Sequence, residues 1–98
     1  MGDRLGTATK PIVYNVAMTT QNTEYSQALP AKVKRFTFQL RGANDCKLCF
    51  TVGGSGTTYI TIKSGSSYSE DGLNPSDVIT LYFQSAVNTQ VAEIIAWM

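Results

Sequence analysis

Along residues 35–41 apolar and polar side chains alternate without a break: Phe36, Phe38 and Leu40 take one set of positions, and Arg35, Thr37, Gln39 and Arg41 the other. Successive side chains of an extended chain point to opposite sides, so this spacing builds a strand with one apolar face and one face turned to water or to a partner. Runs of the same kind recur from residue 12 to residue 97, broken by Gly, Ser, Asn, Asp and Pro, and no stretch carries a helical period. The chain is therefore constrained to sheet, and to a sheet that must cover its apolar face with another.

Read in order, the pattern predicts a strand over 12–19 with Ile12, Tyr14, Val16 and Met18 on one face. A short strand follows over 24–29, ended by Pro30, which cannot donate to a ladder; its length suits an edge. The run 32–41 is expected to form a hairpin with 46–52 through a tight turn at 42–45, because Gly, Asn and Asp tolerate positive φ. Gly53, Gly54, Ser55 and Gly56 read as the most flexible point of the chain, leading into a second hairpin whose outgoing strand, 58–63, places Ile60 and Ile62 on one face. A brief strand at 68–70, a connection at 71–77 and two long strands at 78–85 and 90–97, around a turn at 86–89, complete the count. About eight strands make an all-β fold, a two-sheet antiparallel β-sandwich of jelly-roll type. Phe38 and Phe50 are expected in its core, faced by Leu81 and Phe83 from another strand. Residues 1–10 lack periodicity and read as a flexible N-terminal arm, and 11–98 as a single domain, since 98 residues supply one core and no second one.

The inventory of reactive side chains is thin. There is no histidine, so a nucleophilic triad has no base, and Gly53 to Gly56 lacks the lysine and following helix of a phosphate loop. The expectation is a chain that is not an enzyme and needs no cofactor. Cys46 and Cys49 spell C-x-x-C, but on a strand they lie ~10 Å apart on opposite faces, beyond the ~7 Å reach of a disulfide. Without a third cysteine or a histidine no closed zinc site within one chain is expected, and they read as structural thiols. Glu70 and Asp71, beside Gly72 and Asn74, could offer oxygens to calcium, but that composition is the composition of a turn, and no metal site is expected. Net charge is +1, which gives no field to draw nucleic acid or a membrane surface. Lys32, Lys34 and Arg35 near Phe36 and Phe38 are not expected to form a nucleic-acid platform, because the two phenylalanines share the core face with Leu40. Residues 1–20 lack the apolar core of a signal peptide and no run approaches the ~18 apolar residues of a membrane span, so a soluble protein made in the cytoplasm is expected.

Charged residues make up 15% of the chain against a typical ~25%, with Ser, Thr, Asn and Gln in their place, a surface suited to packed protein contacts. The aromatic residues sharpen this. Tyr25, Tyr59, Tyr68, Tyr82 and Trp97 could stack on a sugar, and Tyr59 and Tyr82 alternate with apolar neighbours in a way that turns them outward. Outward tyrosines equally suit a protein interface, and Ile95, which shares a strand face with Glu93 and Trp97, adds an apolar patch. Tyr25, Tyr59, Tyr82, Ile95 and Trp97 are the candidate partner-binding residues.

The run Asn22-Thr23-Glu24-Tyr25-Ser26-Gln27-Ala28-Leu29-Pro30, then Lys34-Arg35-Phe36-Thr37-Phe38-Gln39, resembles the start of small β-sandwich proteins encoded among the structural genes of tailed bacteriophages. The resemblance continues in Tyr59-Ile60-Thr61-Ile62-Lys63-Ser64-Gly65, in Tyr68-Ser69-Glu70-Asp71-Gly72-Leu73, in Thr80-Leu81-Tyr82-Phe83-Gln84-Ser85 and in Val91-Ala92-Glu93-Ile94-Ile95-Ala96-Trp97. It implies a virion structural protein made in the host cytoplasm and carried on the capsid surface. Such a capsid cement or decoration protein would bind major capsid protein on the outside of the head, as a homo-oligomer with a trimer preferred, and its arm would lie over a neighbouring subunit. The alternative on the same fold is a carbohydrate-binding or host-attachment module, such as a head fibre or tail component.

Overall fold

The computed structural model describes residues 10–98. The expected arm, apart from Lys10, lies outside them.

Eight strands follow in chain order: β1 (Ile12–Met18), β2 (Tyr25–Ala28), β3 (Arg35–Leu40), β4 (Cys46–Cys49), β5 (Ile60–Ile62), β6 (Ser67–Glu70), β7 (Thr80–Gln84) and β8 (Gln90–Trp97), with one 3₁₀ turn at Gly54–Gly56. They form two four-stranded antiparallel sheets, ordered β1-β8-β3-β6 and β2-β7-β4-β5. Among the described residues only β4 and β5 are consecutive strands that are hydrogen-bonded neighbours; every other connection passes from one sheet to the other, which is the jelly-roll path.

The alternation read from the sequence decides which side of each strand is buried. Phe36, Phe38 and Leu40 point inward from β3, Leu81 and Phe83 from β7, and Ala92, Ile94 and Ala96 from β8. Phe38 and Phe83 meet across the sandwich with ring centroids 5.1 Å apart. Ala92 and Ala96 flank Ile94 on the long central strand, where their small side chains leave room for the rings. The edge position expected for the second strand is the one β2 holds.

Three expectations fail, each for a reason visible in the topology. The hairpin at 42–45 does not form: β3 and β4 belong to different sheets, and none of these four residues has positive φ. Alternation specifies the face of a strand but not its neighbour, and here the chain uses the turn to arch between layers. The strand expected to run to residue 52 stops at Cys49, so Phe50 leaves the sheet and is 45% exposed instead of lying in the core. Gly53 to Gly56 is the opposite of a loose loop. Gly53 adopts φ 78°, a conformation only glycine takes without strain, and turns the chain into a 3₁₀ turn that lies back over the outer face of β4 and β7, with Ser55 0% exposed.

Cys46 and Cys49 do sit on opposite faces, and both thiols are free. Cys46 belongs to the core, where burial pushes its thiol up to about 12. Cys49 is buried on the outer side, under the roof of the 3₁₀ turn; a Cβ added to Gly54 would stand 3.0 Å from its Sγ.

Candidate docking surface

The early end of β4 places Phe50 at the rim of the sandwich. Its ring meets Phe36 edge-on at 6.2 Å and Tyr68 at 6.4 Å, and Phe36 and Tyr68 are themselves 6.1 Å apart. Phe36 is fully buried, Tyr68 half-buried and Phe50 exposed, so this triad carries the core out to the surface. On either side of Phe50 lies a depression. One, about 510 Å³, is bounded by Phe36, Glu70, Leu73, Pro75 and Val78; the other, about 650 Å³, by Val52, Thr57, Tyr59, Ile60 and Tyr68. Phe50, Val52, Tyr59, Ile60 and Val78 are five of the eight large hydrophobic residues that the described part of the chain exposes, and all five border these two depressions. Ile60 stands beside Leu48 on the inner face of its sheet, but β5 is a three-residue edge and Ile60 stays 41% exposed.

A latch holds the wall formed by residues 51–58. The Glu24 carboxylate accepts the Gly53 N–H at 2.8 Å, the Ser55 N–H at 3.1 Å and the Ser55 hydroxyl at 2.5 Å. Gln84 Nε2 donates to the same Ser55 Oγ at 2.8 Å. The Ser55 hydroxyl and the Gly53 amide hold the Glu24 carboxyl below its usual range. Two backbone N–H groups converging on one anion make the loop a small nest, filled here from within the chain. The Tyr68 hydroxyl donates to Glu70 Oε2, and that bond, with burial, pushes the phenol up to about 12, so it stays a protonated donor across the physiological range. The charged rim of the depressions is acidic at Glu70 and Asp77, while on the far side Lys47 Nζ lies 4.9 Å from the centre of the Tyr59 ring.

The five residues proposed from the sequence are not brought together. Tyr59 borders the second depression. Tyr82 is on the outer face of the same sheet, half-buried between Ser26 and Cys49 and close to the 3₁₀ turn. Tyr25 is beside Phe83 on the inner side, packed on the core, with its hydroxyl accepting the Thr20 N–H at 3.0 Å; it is no outward aromatic. Ile95 and Trp97 are on the outer face of the other sheet. There Ile95 lies between Val13 and Thr37 over a depression of about 230 Å³, and the Arg35 guanidinium covers the Trp97 ring at 4.3 Å. Around them Glu93 accepts from Arg41 Nε at 2.8 Å and Gln39 Nε2 at 2.9 Å, so both its oxygens are engaged. Sequence reasoning missed Phe50 and Val52 because it continued their strand; the Gly53-Gly54 pair directly after them was the signal that the strand had to stop earlier.

Among the described residues no group of three or more His, Cys, Asp or Glu is placed to hold a metal ion. No family model matches the chain, and no curated protein does. Among solved structures it is similar to a de novo designed double-stranded beta-helix determined by solution NMR: TM-score 0.55 and 19% identity, over 92% of this chain and 100% of that one. At that identity the likeness speaks for the fold alone.

Proposed function

We propose that this chain is a bacteriophage virion structural protein, a capsid cement or decoration protein that binds the outside of the head and stabilises contacts between major capsid subunits. The observation that carries the reading is the exposed apolar group around Phe50: a cluster of five large hydrophobic side chains continuous with the core is the anatomy of a protein contact. The resemblance to small virion β-sandwich proteins supplies the partner. Action would be by bound area: many copies, each burying Phe50, Val52 and Tyr59 against the shell, favour the assembled state by mass action. A sugar platform is less well served, because Lys47 occupies one face of Tyr59 and Arg35 one face of Trp97.

The test is recapture by particles that lack the protein. Val52 is 73% exposed, so Val52→Asp is expected to fold normally and to lose attachment, while Val87→Asp, at a turn away from Phe50, keeps it. Equal recapture of both variants would remove this surface from the contact. Failure of the intact chain to bind shells, with binding to a host polysaccharide instead, would move the assignment to an attachment module.

A further inference from the structure

Each sheet of the sandwich has two edges, and three of the four are short: β2 and β6 have four residues each and β5 has three, with Glu70 on β6. Short strands and charges are how sheets avoid pairing with other chains. The fourth edge breaks that rule. β1 is seven residues long, with neither charge nor proline between Ile12 and Met18, and among the described residues its backbone pairs with β8 alone. Its side chains also look unfinished: Ile12, Tyr14 and Val16 face inward yet are only half-buried, and outward Val13 is 60% exposed.

We infer that β1 pairs with β1 of a second copy, antiparallel about a twofold axis through Asn15, joining the two β1-β8-β3-β6 sheets into one continuous eight-stranded sheet. The strand is complementary to itself in this register. Ile12 comes opposite Met18, Tyr14 opposite Val16 and Val13 opposite Ala17, so the inward apolar residues meet one another, and the two Asn15 amides face each other as reciprocal donor and acceptor. All seven residues are paired. Moving the axis to Tyr14 would set Ala17 against Pro11, which has no N–H to give, and moving it by half a residue would pair inward with outward positions. Lys10 comes opposite Thr20, so no like charges meet. An uncharged edge selects an uncharged strand, and the second copy supplies one of the same length. Such a contact is isologous and closes at two copies, so it replaces the threefold arrangement expected from the resemblance. It does not depend on what the Phe50 surface binds.

The mass of the intact chain in solution, by light scattering or sedimentation, should be twice the 10.7 kDa of one copy. Asn15→Lys sets two ammonium groups face to face at the axis and should halve that mass with an unchanged circular dichroism spectrum. Under mild oxidation Asn15→Cys should give a covalent dimer, whereas Val13→Cys should not, because its two copies sit four positions apart, roughly 13 Å along antiparallel strands. The native thiols are buried and do not compete. A monomer or a trimer for the intact chain, a dimer that survives Asn15→Lys, or cross-linking at position 13 as efficient as at position 15 would each overturn the inference.

Discussion

At the scale of single residues, the arrangement around Glu24 concentrates the most polar interaction in the least space. Ser55 is fully buried, and its N–H and hydroxyl depend on one carboxylate. Removing the carboxylate would strand buried donors, at roughly 1 to 3 kcal/mol. Because Ser55 and Gly53 hold the Glu24 carboxyl below its usual range, the unfolded chain binds a proton there more readily than the folded one. The stabilisation is therefore complete above the ordinary carboxylate value and is lost as pH falls through the lower folded value. Urea unfolding at pH 7 and at pH 3 should show Glu24→Ala destabilised at pH 7, with the gap to the intact protein narrowing at pH 3. A gap independent of pH would mean that the bonds to the charged form are not what holds the loop. The thiols show the opposite economy: Cys46 and Cys49 are three apart, not joined in a disulfide, and each fills a buried position on its own side of β4.

At the scale of elements, β3 and the end of β4 separate two kinds of phenylalanine. Phe38 is enclosed and packs on Phe83, so Phe38→Ala should cost ~3 to 5 kcal/mol, a large share of the ~5 to 15 kcal/mol that holds a small domain together. Phe50 touches the core through Phe36 and Tyr68 but is nearly half exposed, so Phe50→Ala should cost under about 2 kcal/mol. Thr37→Ala, on the outer face, loses its 3.0 Å hydrogen bond to Ser69 and should fold within about 1 kcal/mol of the intact protein. Denaturant midpoints at constant slope would rank them: Phe38→Ala lowest, Phe50→Ala between, Thr37→Ala near the intact chain. A Phe50 variant as damaged as the Phe38 variant would mean that the rim aromatic is core after all. The turn between β5 and β6 follows local chemistry closely: the Ser66 N–H bonds the Lys63 carbonyl at 2.9 Å, and Gly65 at φ 79° takes the position that a type II turn reserves for glycine.

At the scale of the whole molecule, connectivity governs how the chain reaches its fold. With β4 and β5 the sole consecutive pair among the described residues, almost every ladder joins strands distant in sequence, β1 to β8 most of all. Loop closure must precede those contacts, so refolding from urea should take milliseconds to seconds, as for other all-β sandwiches, and a microsecond phase carrying the full amplitude would contradict the topology. Period-two alternation was enough to place eight strands along the chain, though not the end of β4, and to determine the buried sides of β1, β3, β7 and β8 and the separation of the two thiols, because side-chain direction is a local property of extended backbone; the shortness of β2 before Pro30 marked it as an edge. It also placed Tyr59, Ile95 and Trp97 at the surface. It could not determine which strands are neighbours, since a turn at 42–45 has the same composition whether it folds a hairpin or arches between sheets. Nor could it determine that Phe50 leaves its strand, that Tyr25 turns to the core, or that a glycine-rich loop is pinned by a carboxylate 31 positions before Ser55. Those outcomes depend on contacts between residues far apart in sequence, and only the packed sandwich, where Glu24 and Ser55 meet and β4 runs out of partners, decides them.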